Sequence, residues 1–192
     1  MKVIAHPRFQ ELLFLIEKTP GLAKRWRGIG FRSVTPGSAD SVKILSGQGS
    51  FHMGGRWNAP GSVRAAYASA KPEVALAEAL AHFRYYGFQD EDAMPRVTVA
   101  LEFKLRKVLN LTNSKMRRQL KLDLREIMAE DWRKLQDAKK ESQSQCLGRA
   151  VAAAGFEGML VPSAVVPKGI NLVYFPDNAI RGGVARLYEK EP

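Results

Sequence analysis

Apolar residues in this chain repeat with helical spacing in some segments and with strand spacing in others, and their order constrains the fold. Residues 9–16 show the helical pattern, which Pro20-Gly21 ends, and residues 97–103 alternate like a strand. Further helices are predicted at 72–81, 114–140 and 144–155, and further strands at 27–34, 63–67, 159–161, 172–175 and 184–188. Helices and strands mix without strict βαβ alternation, which predicts an α+β fold.

The length of 192 residues corresponds to one domain, at about 100–200 residues per domain. Cys146 is the only cysteine, so no disulfide can form within the chain, and a lone thiol indicates a reducing compartment. No apolar run approaches the roughly 18 residues of a membrane span, and the N-terminus lacks the apolar stretch of a signal peptide. We therefore expect a globular cytoplasmic protein.

The formal net charge of +11 is concentrated in two blocks. Residues 1–50 carry a net charge of +5 and residues 101–150 carry +6, whereas the other two segments are neutral. Such a field attracts anions, which include nucleic acid, phosphorylated small molecules and acidic proteins. The alternative is a solvated face that only improves solubility.

Glu78 is the only formally charged residue between Glu73 and Arg84, in a helix that is otherwise apolar. Its neighbours one helical turn away are valine and alanine, so its carboxylate is expected to be partly buried. Burying an unpaired carboxylate costs on the order of several kcal/mol. Glu78 is therefore either half of a structural ion pair with an arginine or a functional acid.

Two arginines stand in contexts that suit an anion. Arg32 lies in a predicted strand of otherwise apolar and small residues, so it needs an anionic partner, which could be Glu78. Arg56 follows two glycines that let the backbone approach a ligand, and its planar guanidinium suits phosphate. Residues 54–61 form neither a Walker A loop nor a dinucleotide fingerprint, and a purely structural turn is the alternative.

Tyr67 stands between alanines in a predicted strand, which leaves room for a flat ligand to stack on its ring, although a core tyrosine is more common. Ser163 follows a predicted buried strand, where polar ligand contacts are frequent, but a serine there can also cap a turn. No histidine lies near Ser163 in sequence, so we expect no Ser-His-Asp nucleophile. The scattered histidines and single cysteine show no metal-binding pattern.

Three groups of residues, in this order, resemble the motifs of the RES domain family, which is named for an arginine, a glutamate and a serine. The first group is Phe31-Arg32. The second is Gly54-Gly55-Arg56-Trp57-Asn58 with Gly61, Tyr67-Ala68-Ser69 and Ala75-Leu76-Ala77-Glu78. The third is Gly155-Phe156-Glu157-Gly158-Met159-Leu160-Val161-Pro162-Ser163-Ala164 with Asn171-Leu172-Val173-Tyr174-Phe175-Pro176. The resemblance spans residues 28–180. Residues 111–141 contribute no motif to it.

The resemblance implies a single domain with an ADP-ribosyltransferase-like fold, in which helices flank a mixed or antiparallel β core. It implies a catalytic domain at residues 28–192, after an N-terminal helical extension at residues 1–27. The implied catalytic residues are Glu78, Arg32 and Ser163, and the implied substrate-binding residues are Arg56, Tyr67 and Asn171. NAD⁺ is the implied substrate, and no metal is expected.

The resemblance also implies that the chain is the toxin of a toxin–antitoxin module, which consumes NAD⁺ by hydrolysis or phosphorolysis and halts growth. The implied partner is an Xre-type antitoxin whose helix-turn-helix domain connects an oligomeric complex to DNA. Transfer of ADP-ribose to a protein would use the same residues. A nucleic-acid-binding or RNA-cleaving module is the alternative from charge alone, but residues 104–131 lack the aromatic side chains that stack on bases. The two basic blocks could instead hold an acidic antitoxin surface.

Overall fold

The structure, a computed structural model, describes residues 3–40 and 43–189. Within these residues the α-helices are α1 (Phe9–Lys18), α2 (Gln48–Met53), α3 (Pro72–Tyr85), α4 (Ser114–Gln119), α5 (Leu124–Ala129), α6 (Trp132–Asp137) and α7 (Gln143–Ala153). The strands are β1 (Ala23–Val34), β2 (Ala66–Ser69), β3 (Val97–Asn110), β4 (Gly158–Pro162), β5 (Ile170–Tyr174) and β6 (Val184–Leu187). Among the helices described, none has the length and apolar character needed to pass through a lipid bilayer.

The strands form one mixed sheet that is organised around β3. β1 runs antiparallel to β3 along almost its whole length, from Ala23 opposite Leu109 to Val34 opposite Val97. β2 joins β1 to β5, β5 pairs with β4, and β4 runs parallel to the end of β3, so that the sheet closes on itself. β6 pairs with the first half of β3. This mixture of helices with a mixed sheet confirms the predicted α+β class.

Two hydrophobic clusters lie against the sheet. In the larger cluster, Leu12 and Ile16 of α1 pack with Leu147 and Val151 of α7, and all four side chains are buried. Full burial of such side chains contributes roughly 1.5–3 kcal/mol each. The N-terminal helix is therefore part of the main core, and the expected domain boundary after residue 27 falls inside β1.

The charged segment 114–140 is helical, as predicted, but it forms three short helices. Asn113, Asp123 and Asp131 each precede one helix, and each side chain accepts a hydrogen bond from a backbone N–H of the first turn. Asn and Asp are strongly preferred at this capping position because they satisfy N–H groups that have no helical partner. These three caps divide the segment.

The helix predicted from residue 144 starts at Gln143, and its cap is Ser142. The Ser142 hydroxyl accepts a hydrogen bond from the backbone N–H of Gln145, and the Gln145 side chain accepts one from the backbone N–H of Ser142. This reciprocal arrangement is a capping box, which needs Gln at the third helical position and so selects Ser142. Ser144 lies in the first turn of α7 and is fully buried.

Residues 36–61, where no helix or strand is predicted, contain α2. The strand expected from residue 63 starts at Ala66. The reason is local: the Ser50 hydroxyl donates to the backbone oxygen of Ala65 at 2.6 Å and accepts from its N–H at 3.2 Å. A side chain of the preceding segment therefore takes the hydrogen bonds that a strand partner would otherwise make at Ala65.

A buried glutamate just before β4 forms hydrogen bonds with β3 and with the segment that leads to β6. Glu157, which is 1% exposed, accepts hydrogen bonds from the backbone N–H groups of Arg106 at 2.5 Å and Lys107 at 3.0 Å. Its other oxygen accepts from the N–H of Ile180 at 3.1 Å, in the segment that leads to β6. These bonds fall between the part of β3 that pairs with β6 and the part that pairs with β4.

Replacing Glu157 with glutamine should lower the free energy of unfolding by about 1–3 kcal/mol. The reason is that an amide has one acceptor oxygen, and its NH₂ group would face buried N–H groups. Urea denaturation measures this change. Glu17→Gln on the exposed side of α1 is the matched control and should change stability by less than about 0.5 kcal/mol. Equal stabilities of the two variants would contradict this role.

Cys146 should be inert in the folded protein. Its side chain is fully buried in α7, and burial, with a smaller contribution from Glu141, raises the pKa of the thiol to about 12. Because the thiolate is the reactive form, a thiol reagent at pH 8 should label the protein only after urea is added. Mass spectrometry of the labelled chain tests this expectation, and rapid labelling of the native protein would contradict it.

Candidate active site

A cavity of about 500 Å³ lies between α3, β1, β2 and residues 49–57, which precede β2. Small-molecule sites typically measure about 300–1,000 Å³, so the size suits a ligand of that class. The predicted site residues that line it are Arg32, Arg56, Tyr67, Glu78 and Asn171. Ser163 reaches the same place through its hydrogen bond to Glu78. The fold thus brings together all six residues.

Glu78 projects from the middle of α3 and is held by two neutral donors. The Ser163 hydroxyl donates to Glu78 Oε1 at 2.6 Å, and Asn171 Nδ2 donates to the same oxygen at 2.7 Å. Within the described residues no lysine or arginine forms an ion pair with Glu78, so the alternative of a structural Glu–Arg pair is not what the structure shows. The carboxylate is therefore oriented without being neutralised.

The two donors are themselves fixed by the chain around them. Ser163 follows β4, and its oxygen accepts hydrogen bonds from the N–H groups of Val165 and Val166, which directs its hydroxyl hydrogen to Glu78. Asn171 lies in β5, and its Oδ1 accepts a hydrogen bond from Ser69 of β2 at 2.7 Å, which directs its NH₂ to Glu78. Neighbouring strands thus set the position of one carboxylate oxygen.

Arg32 lies near the end of β1, and no carboxylate of the described residues pairs with it. One of its terminal nitrogens, Nη1, donates to the backbone oxygen of Ile44 at 2.8 Å. Burial lowers the pKa of Arg32, since the charged form is poorly solvated there, while the nearby Tyr67 has the opposite influence. Arg32 also lines the cavity. An anionic ligand would compensate this charge.

Arg56 has a structural contact that sequence reasoning did not identify. Its Nη1 donates to the backbone oxygens of Ile127, Met128 and Glu130 at 3.2–3.4 Å, at the end of α5. Carbonyl groups at a helix C-terminus lack helical partners, and a guanidinium satisfies them well. Arg56 therefore joins residues 54–61, the glycine-rich segment, to α5, and it also lines the cavity.

The Tyr67 hydroxyl makes both of its hydrogen bonds within the protein. It donates to Asn58 Oδ1 at 2.6 Å and accepts from the N–H of Trp57 at 3.1 Å. Burial raises the pKa of Tyr67, so the hydroxyl stays protonated and keeps this arrangement. The ring is the part of Tyr67 that remains for contact with a ligand in the cavity.

Helix α7 holds the glycine-rich segment from the other side. Gln145 Nε2 donates to the backbone oxygen of Gly55 at 3.1 Å. Gly148 lies so close to the segment that a Cβ there would stand 1.8 Å from the backbone oxygen of Trp57. Only glycine permits this contact. The cavity wall formed by this segment is thus fixed by the buried face of α7.

Arg133 is a site residue that sequence reasoning missed. It lies on α6, lines the cavity, and its guanidinium packs 4.6 Å from the ring centre of Tyr85 and 4.4 Å from that of Trp132. Its Nε is buried and has no hydrogen-bond partner within the described residues. Burial lowers the pKa of Arg133, whereas Tyr86, Tyr85, Asp131 and, least of these, Glu78 oppose that shift. Arg133 therefore adds a further guanidinium to the wall of the cavity.

His82 stands one helical turn after Glu78 and also lines the cavity. Burial lowers the pKa of His82, and the charge of Arg133 adds to this effect. Both effects favour the neutral imidazole, which would add no charge beside Glu78. Within the part of the chain that the structure describes, no group of three or more His, Cys, Asp or Glu side chains is placed to hold a metal ion.

The fold is similar to that of a chain in the crystal structure of the M. tuberculosis MbcT–MbcA toxin–antitoxin complex. The TM-score is 0.70 at 21% sequence identity, with 96% of this chain and 91% of that chain covered, a likeness that shows the fold alone. No curated protein sequence gives a significant match. The sequence model of the RES domain, however, matches residues 28–188. With Glu78, Arg32 and Ser163 assembled at one cavity, this chain belongs to the RES domain family.

Proposed function

We propose that this chain is the toxin of a type II toxin–antitoxin module and that it cleaves the nicotinamide–ribose bond of NAD⁺. Membership in the RES domain family and the shared fold with a chain of a toxin–antitoxin complex support the proposal. The observation that carries it is the carboxylate of Glu78, which two neutral donors orient beside a cavity lined by four arginines, Arg32, Arg56, Arg96 and Arg133.

Cleavage of the nicotinamide–ribose bond releases a neutral ring and leaves positive charge on the ribose, as in the oxocarbenium-like step of glycoside hydrolysis. A fixed carboxylate stabilises that charge without having to reorganise as it develops. Ser163 and Asn171 both bind Oε1 of Glu78, and no donor within the described residues binds Oε2. We assign this second oxygen to the ribose.

The remaining parts of NAD⁺ find matching groups in the same cavity. Its diphosphate carries negative charge, and Arg32, Arg56 and Arg133 place guanidinium groups there. Planar guanidinium groups bind phosphate through paired hydrogen bonds. The ring of Tyr67 offers an aromatic surface for the nicotinamide. Catalysis in this proposal uses only side chains of this chain, with no metal.

The acceptor of the ADP-ribose is water or phosphate in this proposal. A protein acceptor would make the chain an ADP-ribosyltransferase that uses the same site, and the assay below separates these outcomes. We further propose that an Xre-type antitoxin with a helix-turn-helix domain covers the cavity and brings the complex to DNA. Release of the toxin in the cytoplasm would then deplete NAD⁺ and halt growth.

Glu78→Gln should abolish most of the activity. The glutamine oxygen can still accept from Ser163 and Asn171, so the cavity is preserved while the charge that stabilises the ribose cation is lost. We expect nicotinamide release from NAD⁺ by purified, antitoxin-free protein to fall at least about 100-fold. Release is followed with and without phosphate, which identifies the acceptor.

The matched control is Glu73→Gln in the first turn of the same helix, where the side chain is 65% exposed, and it should retain full activity. Circular dichroism confirms that both variants fold. Equal activity of Glu78→Gln and the wild type would contradict the role of Glu78. Folded wild-type protein that releases no nicotinamide, and transfers no ADP-ribose to protein, would overturn the proposed function.

Arg133→Gln should raise the KM for NAD⁺ at least about tenfold, because a hydrogen bond to a charged group contributes roughly 1.5–3 kcal/mol. The value of kcat should change less, since the diphosphate is bound alike in the ground and transition states. Arg125→Gln, in the same charged segment with a side chain 93% exposed, is the control. An unchanged KM for Arg133→Gln would contradict the assignment of Arg133 to the diphosphate.

A further inference from the structure

The two basic blocks of the sequence meet on the pair of strands β1 and β3. Arg25 and Arg27 belong to the first block and lie on β1, whereas Lys104 and Arg106 belong to the second and lie on β3. Arg27 is directly opposite Lys104 in the antiparallel register. Strand pairing therefore places four cations, about 80 residues apart in sequence, next to one another.

These cations line a groove of about 420 Å³. Trp26 and Leu105 contribute apolar surface to it, and Gly182, just before β6, forms part of its wall. A Cβ at Gly182 would lie 2.7 Å from Nη2 of Arg106, so the backbone approaches this guanidinium closely. The groove shares no lining residue with the cavity of Glu78.

The charge in the groove is largely uncompensated. Among the described residues, Arg25, Arg27 and Arg106 take part in no ion pair, and Lys104 alone is paired, with Glu102 at 2.8 Å. Glu157 binds the backbone N–H of Arg106 rather than its guanidinium. Like charges this close repel one another, and an external anion would remove that repulsion.

We infer that this groove docks an extended, acidic polypeptide segment of a partner protein. Arg25 and Arg27 are two residues apart on β1, beside an irregularity in the pairing with β3 between Lys24 and Trp26. Regular strand geometry would separate them by about 6.6 Å. Alternate side chains of an extended partner segment repeat at the same distance, so acidic residues at every second position match these arginines. The inference goes beyond the catalytic proposal and does not depend on NAD⁺ cleavage.

Two further features favour a polypeptide over single-stranded nucleic acid. β6 starts beside the groove, and within the described residues it pairs only with β3, so its other edge offers main-chain hydrogen bonds to an added strand. Among the described residues, Trp26 is the one aromatic side chain that lines the groove, and its ring already packs against Phe103, with 6.0 Å between ring centres. Stacking surfaces for successive bases, which nucleic-acid grooves use, are therefore lacking here.

The groove lies far enough from the cavity to act separately. Arg32, which reaches the cavity, is five residues beyond Arg27, the nearest groove residue on β1, or roughly 16 Å along an extended strand. A segment bound in the groove would leave the cavity open, and it would add to contacts that a partner makes elsewhere. Linking two such contacts raises the overall affinity because the second becomes intramolecular.

The test uses a fluorescently labelled 12-residue peptide with glutamate at every second position and threonine between. Fluorescence anisotropy compares the wild type with the double variant Arg25→Glu/Arg27→Glu. We expect wild-type binding that weakens with salt, and at least about tenfold weaker binding by the double variant. The matched control, Lys115→Glu/Arg118→Glu, reverses two exposed charges on α4 and should bind within about twofold of the wild type.

Several outcomes would overturn the inference. They are absence of peptide binding by the wild type, an equal loss in the control variant, or tighter groove-dependent binding of a 12-nucleotide single strand, which would indicate nucleic acid. Circular dichroism checks that the reversals leave the fold intact, and Arg25→Gln/Arg27→Gln, a milder change, should give an intermediate loss. Nicotinamide release by the double variant should equal that of the wild type, so failure of this inference and failure of the catalytic proposal are distinguishable.

Discussion

The antiparallel pairing of β1 with β3 determines where both charged surfaces of the molecule lie. At one end of the pair, Arg32 reaches the cavity that contains Glu78, and at the other end Arg25 and Arg27 form the basic groove with β3. Side chains alternate between the faces of a strand, so a slip of one residue would reverse every one of them. The buried core residues Leu101 and Phe103 of β3 prevent such a slip, because it would expose them to water.

The cavity separates its charges instead of pairing them. Glu78 is held by an alcohol and an amide, whereas Arg32 and Arg56 donate to backbone oxygens. Direct ion pairs would have neutralised these groups and would have to be broken when a charged ligand enters. Neutral partners orient each group and leave its charge for the ligand, which is the arrangement expected where charge develops during a reaction.

Hydrogen bonds and packing contacts outside the cavity fix the position of its walls. Tyr67 and Asn58 connect β2 to the glycine-rich segment, and Gln145 of α7 binds the same segment from the other side. At Gly148, the contact between α7 and the backbone of Trp57 leaves no room for a side chain. The residues of this short segment that carry the family resemblance therefore have packing roles as well as chemical ones.

The sequence by itself determined the element types, the α+β class and the six residues that the fold gathers at the cavity, because periodicity and short motifs are local properties. It also contained readable caps at Asn113, Asp123 and Asp131 that divide the charged segment. Only the tertiary structure decided that Arg133 lines the same cavity as Glu78. It also decided that cations from the two basic blocks meet at one groove, while other cations of those blocks lie elsewhere. Such contacts join residues that are distant in the chain, and they arise from strand register and helix packing, which no local pattern specifies.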